Sequence, residues 1–415
     1  MRAIMNNRER LKEALIRSAC KGELAANEVA RRLDISSRQV RKLKAKMRTG
    51  QSLMHGNCKS SPKRRADNER QMIVSHYKDE RFSGANFSHF RELLDSHFGI
   101  QIAYKQLRAI LIEAGFNSPK RQRKRKVHKS RPPKEHFGEM LQTDGSQHQW
   151  FKPFGDNAFY TLHGFIDDAT GIVTGCFFSK NECLDGYFEA FRQTLDGYGI
   201  PGSIYADGLN IFFGKENNLT VVEMLDGIYE NKTQFGAILD TLGVDLIHAR
   251  SSQAKGKIER LWQTFQSRLV IEFKIHGIDN IEKANKFMVK FLSDFNRKFA
   301  KSAASDKSDF LPVPAGIDLD ILLTKRITRT LDAGLVFLFH NNRFRVDGVP
   351  PRAKIEILMS SRLGFKVLYN DKLYNPIALV ETERIGELLY YYLHKNERLQ
   401  FGALDVRRKY KFVYN

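Results

Sequence analysis

Residues 139–147, EMLQTDGSQ, begin a stretch in which apolar and polar side chains take a period of two, and this stretch decides the fold. Two further strand-like runs follow, AFYTLHGFID at 158–167 and GIVTGCFFS at 171–179, joined through DDATG at 167–171. That turn is rich in Asp and Gly, which supply turn geometry, so the last two runs read as a hairpin. Downstream the pattern alternates. CLDGYFEAFRQTLDGYG (183–199) reads as an amphipathic helix ended by Gly, GSIYAD (202–207) as a short buried strand, and TQFGAILDTLG (233–243) as a helix. VDLIHA (244–249) reads as a strand and residues 252–275 as a long helix.

Three antiparallel strands followed by alternating helix and strand is the order of a ribonuclease-H-like α/β core, expected over 136–305. Upstream, residues 9–48 read as three short helices. Within them NEVARRLDISSRQVRKLKAKMR (27–48) places Val29, Leu33, Ile35, Val40 and Leu43 where a helix-turn-helix buries its core. Ser36 followed by Gln39 predicts a capping box, and the helix it starts projects Arg38, Arg41, Lys42, Lys44 and Lys46 outward as a recognition helix would. After a polar, basic linker, a helix near 68–79 and NFSHFRELLDSHFGIQIAYKQLRAILIEAGF (86–116) repeat the plan, with Tyr104, Lys105 and Arg108 on the exposed face of the last helix.

Charge separates these parts. The chain of 415 residues carries a formal charge of +21. Residues 1–135 hold 33 Lys+Arg against 13 Asp+Glu, or +20, and the remaining residues are near neutral. Concentration of charge over folded-looking helices points to a polyanion, and the helix pattern to double-stranded DNA. Residues 118–135, SPKRQRKRKVHKSRPPKE, carry too many like charges and prolines to fold alone; Arg123, Lys124, Arg125 and Lys126 are expected to track phosphates. Apolar residues at 42%, including 30 Phe, exclude a generally disordered chain. No window approaches a membrane span, and MRAIMNNRERLKEALIRS lacks the apolar region of a signal peptide, so a cytoplasmic protein without a membrane partner is expected. Cys20, Cys58, Cys176 and Cys183 form no CxxC and have no His at zinc-finger spacing; they read as ordinary thiols.

The last hundred residues change rhythm again. LVFLFH (335–340), RFRVDG (343–348), KIEILM (354–359), FKVLY (365–369) and KLYNPIALV (372–380) are short strands punctuated by HNN, a Pro pair, Gly and Asn-Asp, which predicts a small β-barrel-like domain over 320–415. Its basic ending, 383–412, is a candidate surface for DNA or another protomer. The chain is thus expected to be multidomain, with helix-turn-helix domains at 1–50 and 65–117, a basic linker at 118–135, the α/β core and the β domain.

Three acids stand out because phosphodiester chemistry on DNA needs carboxylates that converge from separate elements onto hard cations about 3.5–4 Å apart. Asp144 lies on the first core strand, and Asp207 at the end of a buried strand, where open sheets place a ligand crevice. Glu259 lies on a helix whose apolar stripe is Ile258, Leu261, Trp262, Phe265 and Leu269, with Lys255, Glu259 and Gln263 on another face. Rival acids are Asp167 and Asp168, read as turn residues, and Glu139, Glu223 and Glu230. Lys255 and Lys257 are candidates for holding DNA phosphates. His148 and Trp150 could position a nucleophile or stack on a base, with core packing the alternative for Trp150; Ser252 and Gln253 are candidate caps of the long helix.

The strings LQTDGSQHQWF, GFIDDATGIVTG, YADGLNIFF and SSQAKGKIERLWQTFQSRL resemble the integrase-type catalytic core of bacterial insertion-sequence transposases, the DDE recombinases related to retroviral integrases, over roughly 135–300. The upstream helix-turn-helix pair resembles the ISNCY group in layout. Carried over residue by residue, the resemblance implies that Asp144, Asp207 and Glu259 are the three catalytic acids and hold two Mg2+ or Mn2+ ions. It also implies cleavage and strand transfer at element ends (DNA transposition, recombination and integration), with target DNA as a second substrate and a homo-oligomer in the synaptic complex. The 51 residues between Asp207 and Glu259 exceed those of compact retroviral-type cores, and the excess falls in FGKENNLTVVEMLDGIYEN (213–231). Two rivals share these features: a DNA-binding regulator with an inactive integrase-like domain, and a ribonuclease H on hybrids, which leaves the two helix-turn-helix units without a role.

Overall fold

The computed structural model describes residues 7–51, 53, 65–119, 131–213, 233–249, 255–340 and 342–379. The chain divides into two units, 1–75 and 76–415. In the first, α1 (Asn7–Lys21), α2 (Ala26–Leu33) and α3 (Ser37–Arg48) close on Ile16, Ala19, Val29, Ala30 and Val40, with Leu33, Ile35 and Leu43 packed around them. Asp34 at φ 53° turns the chain out of α2. The capping box then starts α3: the Gln39 amide donates to Ser36 Oγ at 3.2 Å and the Ser36 amide to Gln39 Oε1 at 3.0 Å.

A helix α4 (Asp67–Lys78) leads into the second unit, where α5 (Phe87–Phe98) and α6 (Tyr104–Glu113) follow. Asn86 caps α5 by accepting the His89 amide at 3.0 Å, and Gly99 at φ 64° ends it. Tyr77, Phe87, Phe90 and Phe116 pack edge to face between these elements. The outer side of α5 is engaged with the α/β core. Glu92 accepts from Arg268 and pairs with Lys298 at 2.8 Å, and His89 Nε2 meets Glu272 at 2.8 Å.

The core is a five-stranded sheet in the order β3-β2-β1-β4-β5. Strands β1 (Leu141–His148), β2 (Tyr160–Asp167) and β3 (Val173–Ser179) are antiparallel, while β4 (Ser203–Ala206) and β5 (Asp245–His248) run parallel to β1. Helices α7 (Leu184–Gly197) and α8 (Gln234–Leu242) cover one face through Phe165, Phe188, Phe191, Phe235 and Leu239; α9 (Gly256–His276) and α10 (Ile281–Phe299) cover the other through Leu162, Ile166, Phe178, Phe265 and Phe273. Alternation along β2 sends Leu162 and Ile166 one way and Phe165 the other, as a strand buried on both faces requires. The free edge at β3 is closed by side-chain amides: Asn285 and Asn296 of α10 and Gln193 of α7 each both accept from and donate to the backbone of Phe178, Val173 and Cys176. Covering an edge in this way removes a template for pairing with other chains.

The DDATG turn has the structural role read from it. Asp167 accepts from the Thr170 amide and hydroxyl, both at 2.7 Å, and from the Gly138 amide; Asp168 accepts from Gln142 and the Lys134 amide and pairs with Arg131.

The C-terminal strands depart from the expected barrel. After a short α11 (Leu319–Leu322), β6 (Lys325–Thr330), β9 (Lys354–Ser360), β10 (Gly364–Tyr369) and β11 (Lys372–Tyr374) form one sheet. Strands β7 (Val336–Phe339), β8 (Asn342–Arg345) and β12 (Ile377–Ala378) form a second. The two share a core of Phe337, Phe339, Phe344, Ile355, Ile357 and Val367, but no ladder joins them among the described residues. Strand pairing leaves the gap: β6 pairs with β9 and β7 with β8, so the two strands, consecutive in the chain, lie in different sheets. Between them Asp332 accepts the amides of Gly334 and Val336, both at 2.8 Å, and Leu335 takes φ 63°. The basic ending at 383–412 lies outside the described residues.

Candidate active site

Register puts two carboxylates level with each other. On the parallel ladder Gln142 faces Tyr205, so Asp144, in the middle of β1, and Asp207, just past the end of β4, each two residues farther on, emerge side by side from the same face of the sheet. That face is the one covered by α9, whose start is tied down where the Ile258 amide donates to Gln142 Oε1 at 3.2 Å. Lys255, the residue before α9, is 5% exposed and bridges the acids: its Nζ lies 3.0 Å from Asp144 Oδ1 and 3.3 Å from Asp207 Oδ2. Trp262 donates from Nε1 to Asp144 Oδ2 at 3.2 Å. Burial pushes the Asp144 carboxyl above the ordinary carboxylate range, against the pull of Lys255.

Two glycines make room for this arrangement. Gly164 faces Asp144 across the β1–β2 ladder, and a Cβ there would lie 2.6 Å from Trp262 Cη2. Gly145 presents the opposite face, where a Cβ would lie 2.9 Å from Glu182 Oε1. Glu182, between β3 and α7, accepts from the Tyr187 hydroxyl at 2.7 Å; burial raises its pKa, with the charges of Asp144 and Asp207 adding to the effect. Neither Glu182 nor Trp262 stands out as a site residue in the sequence. The legible signal was Gly145 following an acid on a strand, since a strand glycine marks a close approach.

Glu259 lies in the first turn of α9, four residues after Lys255 and three before Trp262. It is half-buried and makes no hydrogen bond or ion pair with the described residues, and its carboxylate does not close with those of Asp144 and Asp207 into a set within 4.8 Å. Among the described residues, the set of three possible ligands that does close is His136, Glu139 and Asp309, and all are engaged with protein. Glu139 takes Lys134 at 2.7 Å and the amides of Glu135 and His136, while His136 takes Asp309 at 3.1 Å, clasping the start of the core to the segment after α10.

The other expected residues are distributed as follows. Arg38, Arg41 and Lys42 are exposed on α3 and Lys44 is half-buried there; Lys105 and Arg108 are exposed on α6 with Tyr104. Lys255 is turned into the sheet rather than toward solvent. Lys257 is half-buried, its ammonium pushed to lower pKa by burial against the attraction of Asp168 and Asp167. Trp150 is fully buried, donating to the Tyr160 carbonyl at 3.0 Å, and is a core residue. His148 packs against it, with burial lowering the imidazole pKa. Arg123, Lys124, Arg125, Lys126, Ser252, Gln253, Glu223, Glu230 and Cys58 lie outside the described residues.

No protein-family profile matches the chain. Among solved structures, it overlaps the simian T-cell lymphotropic virus intasome in complex with PP2A regulatory subunit B56 gamma at 14% identity and a TM-score of 0.30, over 69% of this chain and 92% of that one. It overlaps the HTLV-2 integrase catalytic core domain in complex with magnesium at 15% identity and a TM-score of 0.28, over 40% of this chain and 92% of that one. Superpositions this loose carry no weight. The sequence relationship does: the transposase for insertion sequence IS1202 of Streptococcus pneumoniae is 31% identical over 440 aligned positions, spanning 97% of this chain and 91% of the relative. No helix among the described residues is long and apolar enough to cross a membrane. With nearly a third of positions shared over almost its whole length, the chain belongs to the insertion-sequence transposase family.

Proposed function

We propose that the chain is a DDE-type transposase that binds the ends of its insertion sequence and cuts and joins DNA at Asp144, Asp207 and Glu259. The observation that carries this reading is the pair of level aspartates sharing the single ammonium of Lys255. An all-oxygen donor set that already gathers a positive charge suits a hard divalent cation, and Asp144, Asp207 and Glu259 would hold two Mg2+ or Mn2+ ions. Such ions, when bound, neutralise charge on the phosphoryl group and lower the pKa of a bound water.

The chemistry is two balanced phosphoryl transfers. In the first, a water oxygen bonds to the phosphorus at the element end, the bond from phosphorus to the 3′ oxygen breaks, and the freed 3′ oxygen takes a proton. In the second, that 3′-hydroxyl oxygen bonds to a target phosphorus, the target's own bond to its 3′ oxygen breaks, and the hydroxyl proton goes to the departing oxygen. Neither step needs a covalent bond to the protein. Trp262 holds the Asp144 carboxylate in one orientation, and Lys255 balances both aspartates before DNA arrives. The sheet order supports a ribonuclease-H-like core.

We read α2 and α3 as a helix-turn-helix and α5 and α6 as a second. Arg38, Arg41, Lys42, Lys44, Lys105 and Arg108 contact double-stranded DNA, with Arg123 to Lys126 on phosphates. Holding two ends together makes a homo-oligomer the working form, acting in the bacterial cytosol on nucleoid DNA. The test is nicking of a supercoiled plasmid carrying the element ends. Asp207→Asn is expected to bind the ends but lose Mg2+-dependent nicking. Nicking by that variant at the wild-type rate would overturn the reading, and wild-type protein that binds ends and never nicks would be the regulator.

A further inference from the structure

We propose that Lys255 is a resident cation that gives up its place to the metal, and that its ammonium, once released, holds the phosphate backbone of bound DNA; the inference rests on the reading of Asp144 and Asp207 as metal-holding acids. Each aspartate has two carboxylate oxygens, and the structure divides them in the same way. Asp144 Oδ2 accepts from the Trp262 indole at 3.2 Å, and Asp207 Oδ1 from the Leu209 amide at 3.3 Å. The other two, Asp144 Oδ1 and Asp207 Oδ2, are the ones that Lys255 Nζ bridges at 3.0 and 3.3 Å. Among the described residues, the ammonium alone engages these two oxygens. It stands where an ion shared by both acids would be bound.

A hard cation sits about 2.0–2.6 Å from a carboxylate oxygen, so an ion on either free oxygen would come within roughly 5 Å of the ammonium. Like charges that close repel strongly in a site largely shielded from water. Two divalent ions would bring four positive charges to the three carboxylates of Asp144, Asp207 and Glu259, and the ammonium is the cation there that can leave. A way out exists. The Lys255 and Asp144 side chains are 6% and 20% exposed, but that of Asp207 is 38% exposed, so the bridge opens to solvent at its Asp207 end. The flexible four-carbon stem of lysine can carry the ammonium through that opening without moving the backbone. There it meets the side from which a DNA phosphate has to approach the aspartates. The contact with DNA is thus available only after metal has entered, and metal and DNA each raise the affinity for the other by the same factor.

The test measures two affinities of the full-length chain. One is for Mn2+ without DNA, followed by the loss of free-ion electron paramagnetic resonance signal. The other is for an end-containing duplex, followed by fluorescence anisotropy with and without Ca2+ at constant ionic strength. Lys255→Met, with no cation to displace, is expected to bind Mn2+ about 10-fold more tightly than wild type. Lys255→Arg, whose planar fork grips carboxylates more firmly at the same charge, is expected to bind it more weakly than wild type. Without Ca2+ the Lys255→Met and wild-type proteins should bind the duplex alike, and Ca2+ should raise the wild-type affinity about 10-fold more than that of Lys255→Met. Equal or weaker Mn2+ binding in Lys255→Met would overturn the exchange. So would a loss of duplex affinity in Lys255→Met that is the same with and without Ca2+, which is the signature of a permanent phosphate contact. Wild-type Mn2+ affinity in Asp207→Asn would instead overturn the metal site itself. Should Lys255→Met fail to fold, Lys255→Arg decides: Mn2+ affinity at or above that of wild type refutes the proposal.

Discussion

Trp262 lies over Gly164 so closely that one added carbon at 164 would fall 2.6 Å from its ring, and this contact aims the indole N–H at Asp144. The position on β2 that faces the candidate acid is therefore glycine because an aromatic ring from α9 occupies the space a side chain would need. Gly164→Ala is expected to displace Trp262, destabilise the chain by about 1–3 kcal/mol and slow cleavage. Urea unfolding and the tryptophan emission maximum measure the first two effects. An unmoved emission maximum would show that the ring is not held as described.

Lys255→Met leaves Asp144 and Asp207 without their shared ammonium. The loss of stability without metal is expected to fall short of the ~3–5 kcal/mol of a fully buried pair, because the Asp207 side chain is 38% exposed. Added Mn2+ should raise the melting temperature of this variant more than that of wild type, since the ion then replaces the missing charge. Equal increments would argue against a shared cation position.

The α5 helix is fastened to the core by Glu92, which takes both arms of Arg268. Both side chains are largely buried, so Glu92→Gln leaves a guanidinium unpaired and is expected to cost about 3 kcal/mol in urea unfolding. Replacing both residues by Met should recover much of that loss. If the double variant is no more stable than Glu92→Gln, the pair is not coupled.

Asp185 at the start of α7 accepts from the Ser361 amide, and burial, then the charge of Glu189, pushes its pKa up to about 6. An unfolded aspartate titrates near ~3.9. Below that value both states hold the proton. Between roughly pH 4 and 6 only the unfolded state releases it, so stability is present at low pH and lost as pH rises through this window. Relative to Asp185→Asn, the wild type should lose on the order of 3 kcal/mol from pH 4 to pH 7. Parallel curves for the two proteins would refute the shift.

For the proposed DNA contacts, Arg41→Ala and Arg108→Ala are each expected to weaken binding to an end-containing duplex and to lower the slope of log affinity against log salt by about 1. A slope unchanged by Arg108→Ala would remove α6 from the DNA contact.

Local devices were legible from the residues alone. The Ser36–Gln39 box, the Asp167–Thr170 turn and the strand periods around Asp144 depend on neighbours within a few positions, and the structure contains each of them. The C-terminal strands were equally legible one by one. Their closure was not, because it depends on which strands pair across the domain: β6 takes β9 and β7 takes β8, and no ladder joins the two sheets among the described residues.

By itself, then, the sequence determined the order of elements, the basic helices, an aspartate on the first core strand and another at a strand end, since hydrophobic period and capping chemistry are short-range. Only the tertiary structure decided that Lys255 turns inward to residues 111 positions away in Asp144's case, that Asn285 and Asn296 close the β3 edge from 107 and 123 positions away, and that Glu182 packs against the bare face of Gly145. Those relations follow from strand register and from which helix covers which face, and a one-residue shift in register would reverse them without changing any local pattern.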